Sequence, residues 1–124
     1  MAITANELTV ASVDSSGKTY FATSFSSADV TGCELIKAAP AAGSIYITHV
    51  NIAAGDAATI FGIGSGKSST ALETAALEFV SGANGGNSYN LLLDRPIKLV
   101  ALKGMYIDAV AACPVAGTVQ GFVN

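Results

Sequence analysis

A chain of 124 residues with six Lys or Arg and nine Asp or Glu is one domain of ordinary size that exposes roughly 6,000 Å² when folded. Its 12% charged and 51% hydrophobic residues, with a mean hydropathy of +0.52, exclude a disordered chain; soluble domains carry about 25% charged residues, so part of this surface is expected to lie against other protein. A net charge of −3, with the cations scattered from Lys18 to Lys103, gives no footprint for nucleic acid, and Lys, Asp, Asn, Pro or paired Gly breaks every apolar run before the roughly 20 residues a membrane-spanning helix needs.

The first residues, MAITANELTVASVD, contain no basic residue and place Glu7 inside what would be the apolar core of a signal sequence, so export by a signal peptide is not expected. From there, turn chemistry recurs about every 8–12 residues: at 14–17 (DSSG), Thr31-Gly32, 40–43 (PAAG), Gly55-Asp56, the Gly-rich stretch 62–66, 81–87, 94–96 (DRP), Lys103-Gly104 and 112–114 (ACP). The segments between them read as strands. Residues 18–25 and 33–37 come first, then 44–52 (SIYITHVNI), apolar on both faces and therefore expected as a central strand covered on each side.

After it come residues 60–63. Residues 70–79 (TALETAALEF) are ambiguous: Leu72, Ala75, Ala76 and Phe79 fit a helical stripe of good helix formers, whereas Ala71, Ala75, Leu77 and Phe79 fit one face of a strand. Flanking strands and the scarcity of other helix signals favour the strand. Residues 87–93 follow, and then three segments with period-two alternation: Ile97, Leu99 and Ala101; Met105, Ile107 and Ala109; and Val115, Gly117, Val119, Gly121 and Val123. About eight or nine strands with turns at this rhythm predict an all-β, single antiparallel β-sandwich, jelly-roll-like, spanning residues 1–124. Residues 40–43 and the strand after them read as a hairpin feeding the central sheet.

Motifs that could carry chemistry are weak. FGIGSGKS (61–68) imitates a phosphate-cradling loop, but a Walker pattern needs Gly at position 61, where Phe61 stands, and a parallel sheet with crossover helices. His49 is the only histidine; in plain alternation it shares a face with Ile45, Ile47 and Asn51, and it reads as a partly buried histidine hydrogen-bonded within the sheet or at a subunit contact. No Cys-x-x-Cys, His-x-x-x-His or acidic cluster supplies ligands for zinc or calcium. Glu73 and Glu78 lie five apart, a poor spacing for a general acid/base pair. Cys33 and Cys113 read as small buried apolar groups, although a disulfide between them is not excluded by spacing. Nine aromatic residues without Trp read as core and interface filling. No catalytic, cofactor-binding or metal-binding residue is assigned, and no cofactor is expected.

Leu35 to Val50 (LIKAAPAAGSIYITHV), the Gly-rich stretch 62–66, Asp94-Arg-Pro96-Ile-Lys98-Leu99 and the closing Val119-Gln-Gly121-Phe-Val together resemble small β-sandwich virion proteins of tailed bacteriophages. The shared features are an apolar-Pro-Ala-Gly turn before an Ile-Thr-His-Val strand, a later Pro-Ile-Lys-Leu strand and a closing Gly-aromatic pair. The resemblance covers residues 33–124 and leaves residues 1–30, with the Ser-rich SFSSADVT, as a possible N-terminal arm. It implies a capsid decoration (cement) protein, a homotrimer made in the host bacterial cytoplasm. Such a protein binds the major capsid protein at the outer surface of the virion and stabilises the shell by burial, without catalysis, nucleic acid or membrane. The alternative it implies is a tail-fibre or baseplate-associated module that binds a host-surface glycan. A small cytosolic enzyme is disfavoured because no polar cluster converges in the sequence.

Overall fold

The computed structural model describes residues 3–8, 17–55, 59–68, 71–81 and 87–124. Seven strands account for most of them: β1 (Thr4–Leu8), β2 (Thr19–Lys37), β3 (Ile45–Ala54), β4 (Thr59–Ser68), β5 (Ala71–Ser81), β6 (Asn87–Lys98) and β7 (Met105–Val123). Every pairing is antiparallel, and the described residues contain no helix.

The two 19-residue strands, β2 and β7, organise the rest. Their outer halves pair from Thr19↔Val123 to Ser27↔Val115; after irregularities between Ser27 and Gly32 of β2 and between Ala109 and Val115 of β7, their inner halves pair from Gly32↔Ala109 to Lys37↔Met105. Gly32 takes a φ of +70°, the left-handed conformation that favours glycine and often marks a bulge. Pro114, which cannot donate to a ladder, sits on β7 beside Cys113, the partner of Val30. The pair therefore bends, and each half joins a different sheet. One sheet runs β1-β2-β7-β3-β6, and the other runs β2-β7-β4-β5. Counted by halves, two sheets hold nine strands. Along the chain these segments alternate between sheets in the order of a jelly-roll sandwich.

Several expected turns are strand interior. Thr31-Gly32 and residues 112–114 lie at the bends of β2 and β7, so the segments expected as separate strands are continuous. Residues 94–96 lie inside β6, where four residues separate Ile97 from Leu92 while one separates their partners Ile47 and His49. The Gly-rich stretch 62–66 is the middle of β4. Residues 97–102 are not one strand: β6 ends at Lys98, and a turn over Ala101 and Leu102 follows. The expected hairpin at 40–43 is instead a crossover from the second sheet to the first, because β2 and β3 are not paired. Residues 71–81 form strand β5, not helix. The turns expected at 14–17, Gly55-Asp56 and 81–87 lie wholly or partly outside the described residues. Of the N-terminal 30 residues, Thr4–Leu8 supply β1 and Thr19 begins β2.

The core lies between the sheets. Ile45, Ile47, Val50 and Ile52 of β3, with Phe21 and Phe25 of β2 in the same sheet, face Phe61 and Ile63 of β4 and Met105 and Ile107 of β7, all nearly inaccessible. Phe61 stacks on Phe79 at 5.3 Å, Phe79 tilts against Tyr89 at 5.1 Å, and the Tyr89 hydroxyl donates to the Val80 carbonyl. These contacts close the edge where β5 and β6 overlie one another; β2 and β7 close the opposite side by running through both sheets.

Gly64 shows why a Gly-rich strand is needed there. A Cβ at this position would overlap the Thr74 carbonyl of β5, because the register shifts between Ile63 and Gly64 and leaves Ala76 as the extra residue of a bulge. Gly64→Ala is expected to lower stability by about 1–3 kcal/mol in urea unfolding, as forced overpacking does. Thr23 faces the core at 1% exposure, and its hydroxyl has no hydrogen-bond partner among the described residues. Thr23→Val, which keeps the shape and removes the hydroxyl, is expected to raise stability by about 1 kcal/mol.

Candidate functional site

The outer face of the five-stranded sheet carries its side chains in rows set by the register. One row is Thr4, Ser26, Ala116, Ala53 and Ser88; the next is Asn6, Ser24, Thr118, Asn51 and Asn90. A third contains Ala22, Gln120, His49 and Leu92, and a fourth Tyr20, Phe122, Tyr46 and Lys98. The first three rows contain no charged side chain, and most of their members are exposed. Between β1 and β3 the surface sinks into an open groove of about 430 Å³ lined by Thr4, Asn6, Ser24, Ser26, Asn51 and Thr118.

His49 reaches this face through a bulge. Ile47 pairs with Gly121 and His49 with Gln120, so Thr48 is an extra residue that reverses the alternation after it. The sequence periodicity put His49 on the face of Ile45 and Ile47; the bulge turns it outward beside Asn51, while Ile45 and Ile47 stay in the core. The expectation that β3 is covered on both sides is likewise corrected: it is central within its sheet, but one face packs and the other, with exposed Asn51 and Ala53, looks out. His49 is half-buried, and its Nε2 lies 2.5 Å from Asn90 Oδ1. That oxygen can only accept, so the ring donates.

The fourth row is aromatic. Tyr46 stacks on Phe122 at 4.7 Å, Tyr20 tilts against it at 5.9 Å, and the Lys18 ammonium lies 4.9 Å from its ring centre. Phe122 is 6% exposed although it points away from the core.

Below this row, one end of the sandwich is built from two loops. Leu102 N–H donates to Gly43 O and Leu99 N–H to Ile45 O, each at 2.9 Å, while Ser44 and Asn124 exchange two backbone bonds of 3.1 Å. The loops present Ala38, Ala39, Ala41, Ala42 and Ala101, all exposed, with Val100 at 44% and Leu102 at 56%. Leu102 has a φ of +62° in a turn closed by Lys103 N–H to Val100 O. Leucine there costs about 1–2 kcal/mol relative to a residue that tolerates the left-handed region, yet its side chain stands in solvent. Lys18, Lys37, Lys98 and Lys103 flank this end in sequence or in register; Lys37 lies over the Phe21 ring at 4.5 Å, and Lys103 pairs with Glu73 at 3.3 Å.

The other sites considered in the sequence stay apart. Glu73 is engaged with Lys103, whereas Glu78 stands opposite Gly62. Cys33 and Cys113 are both buried and carry thiols, with no disulfide between them. The Cys113 thiol donates to Gly55 O at 3.3 Å. Among the described residues no group of three or more His, Cys, Asp or Glu is placed to hold a metal ion. Cys33 is 4% exposed and lies opposite Asp108 of β7. Burial pushes its thiol up to about 11, and the negative charges of Asp108 and Glu34 add to this while Lys67 opposes it. Such a thiol is protonated at neutral pH and is a poor nucleophile. Comparisons with protein-family models, with curated proteins and with solved structures return no match.

The raised Cys33 pKa couples to stability at high pH. The folded chain holds this proton more tightly than the unfolded chain, whose thiol titrates near 9, so the Cys33 contribution is intact below pH 9 and is lost as pH rises from 9 toward 11. The difference in urea midpoint between the natural chain and Cys33→Ala is expected to be flat from pH 6 to 8.5 and to shift against the natural chain above pH 9.

Proposed function

We propose that this chain is a virion structural protein of a tailed bacteriophage, a homotrimeric capsid decoration protein that binds the major capsid protein and cements the shell by burial. The single observation that carries the reading is the apolar loop end. Two loops pinned together by backbone hydrogen bonds expose Val100, Leu102 and four alanines of the crossover segment, and one of these side chains is held out at a backbone position that disfavours it. An exposed apolar surface of this kind marks an interaction site.

The flanking lysines make a partner with carboxylates around an apolar patch the complementary surface. The low overall charge noted in the sequence supports self-association of the same molecule. Burial at about 25 cal/mol per Å² needs only a few hundred apolar Å² to contribute several kcal/mol before association costs, and a trimer that attaches at three points gains further through effective concentration. Fold alone does not support this role, since jelly rolls serve many; the exposed apolar loop end is what supports it.

Quantitative mass spectrometry of purified particles is expected to find the chain in copy numbers comparable with the major capsid protein; a handful of copies per virion overturns the reading. The purified protein is expected to elute as a trimer in size exclusion with light scattering. Leu102→Asn, which suits a positive φ and removes the apolar side chain, is expected to keep stability within about 1 kcal/mol of the natural chain. The same variant is expected to weaken binding to undecorated shells about tenfold or more, the scale of a lost apolar anchor.

A further inference from the structure

We infer that the free edge of β6 pairs with the same edge of a second copy of this chain, antiparallel about Asn90, so that two five-stranded sheets continue into one. The contact is two-fold and closes after two chains. It is therefore separate from three-fold association and does not rest on shell decoration.

Edge strands present unpaired N–H and C=O groups, and proteins blunt them with charge, proline, bulges or short length. Three edges of this sandwich are blunted. β1 is five residues long and carries Glu7. The inner half of β2 carries Glu34 and Lys37, with a register shift between Leu35 and Lys37. β5 carries Glu73 and Glu78 and the bulge at Ala76. The fourth edge, β6, is guarded only in its second half, by Asp94, Arg95 and Pro96. From Asn87 to Leu93 it has neither charge nor proline, and from Asn87 to Leu92 it pairs with β3 without a shift. Among the described residues β3 is its only strand neighbour. In an antiparallel ladder every second residue turns its N–H and C=O together to the same side, so the far side of this segment offers both in regular order.

The side chains of the segment are unfinished at the same place. Tyr89, Leu91 and Leu93 pack against the core but are only half-buried, whereas Ile52 and Val50, opposite Tyr89 and Leu91 on β3, are inaccessible. On the other face Leu92 is 80% exposed. A further strand beside β6 would complete the burial of Tyr89 and Leu91. The other edges decide the occupant: none of them is both regular and uncharged, so the matching strand that a second copy offers is β6 itself. Asn90 is the midpoint of Asn87 to Leu93. With the pairing centred there, Tyr89 stands opposite Leu91 of the second copy, an aromatic–aliphatic pair of the kind that stabilises a ladder. Ser88 stands opposite Leu92, Asn90 opposite Asn90, and no charge meets a like charge. One added strand buries less than the roughly 1,000 Å² of a stable interface, so the pairing forms as concentration rises.

Sedimentation equilibrium of the intact chain, from micromolar to near-millimolar concentration, tests the pairing. Mean mass is expected to rise with concentration above that of the basal species, and the backbone amides of residues 87–93 to gain protection from hydrogen exchange over the same range. Asn90 is exposed, so Asn90→Lys and Asn90→Asp keep the fold while each sets a charge against its own copy. Each variant is expected to weaken the association about fivefold. An equimolar mixture of the two is expected to restore it to the natural level or beyond, which loss of the Asn90 side chain or of its His49 contact would not do. Glu78→Lys, on the β5 edge, leaves the association unchanged. A mass independent of concentration, which leaves the edge to a strand of another protein, overturns the inference. So does growth that survives both Asn90 variants, a mixture that recovers nothing, or protection that appears on another edge.

Discussion

The antiparallel pairing of β2 with β7 is the interaction on which the rest of the fold depends. Each strand is too long for one sheet, and a bend shared by both lets a single ladder serve two. Once Gly32 and Pro114 set that bend, β3 has only the free side of the outer half of β7 to add to, and β4 only the free side of its inner half. The strands that follow, β5 and β6, complete the edges and overlie one another, where the aromatic run Phe61, Phe79 and Tyr89 crosses from one sheet to the other. Interior packing then follows from register: a shift of one residue in β7 would exchange Val119 and Ile107 for Gln120 and Asp108 in the core.

Close strand approach at the centre of this arrangement is secured by removing side chains. Gly64 on β4 stands where any Cβ would meet a neighbouring carbonyl, and Gly121 on β7 does the same against Tyr46. Both lie next to a bulge, at Ala76 and at Thr48 respectively. Bulges bring the backbones into tighter local twist, and glycine is the residue that tolerates the approach. The same pairing of bulge and glycine is what turns His49 outward while the next glycine along β7, Gly117, lies across from Ile52. Local irregularity, here, decides which side chains become surface.

Much of the fold was legible in the sequence, because alternation and turn spacing report strands directly. The β-sandwich class, the strand count and the strand assignment of residues 71–81 all follow from those signals. What the sequence could not show was which Gly and Pro residues punctuate the chain and which lie inside strands. Thr31-Gly32, residues 94–96 and 112–114, and the Gly-rich stretch of β4 have the composition of turns, and only pairing partners distinguish a bend within a ladder from the end of one. His49 was misplaced for the same reason: a single extra residue inverts the face of everything after it, and period-two reasoning has no means to detect the insertion. The uncharged rows on the outer sheet face were equally hidden, since Asn6, Ser24, Asn51, Asn90 and Thr118 are distant in sequence and are joined only by register. Pro40 to Gly43, by contrast, stand at a turn that the sequence did indicate, although it is a crossover and not a hairpin; Leu102 reads as strand, and its left-handed turn carries no sequence signal.

The allocation of charge separates the surfaces. The described charged side chains lie on the second sheet, along the β6 irregularity at Asp94 and Arg95, and around the loop end, so among the described residues charge is concentrated away from one face. Between that neutral face and the apolar loop end runs the aromatic row of Tyr20, Phe122 and Tyr46. Phe122 is buried on the outside of the sheet by its own neighbours, which costs the chain an aromatic group that could have packed in the core and places a stiff, water-excluding band at the junction. Lys18 and Lys98 close the band toward the loops. The amide and hydroxyl rows and the apolar loop end are therefore surfaces of different chemistry on one sandwich, held apart by this aromatic band.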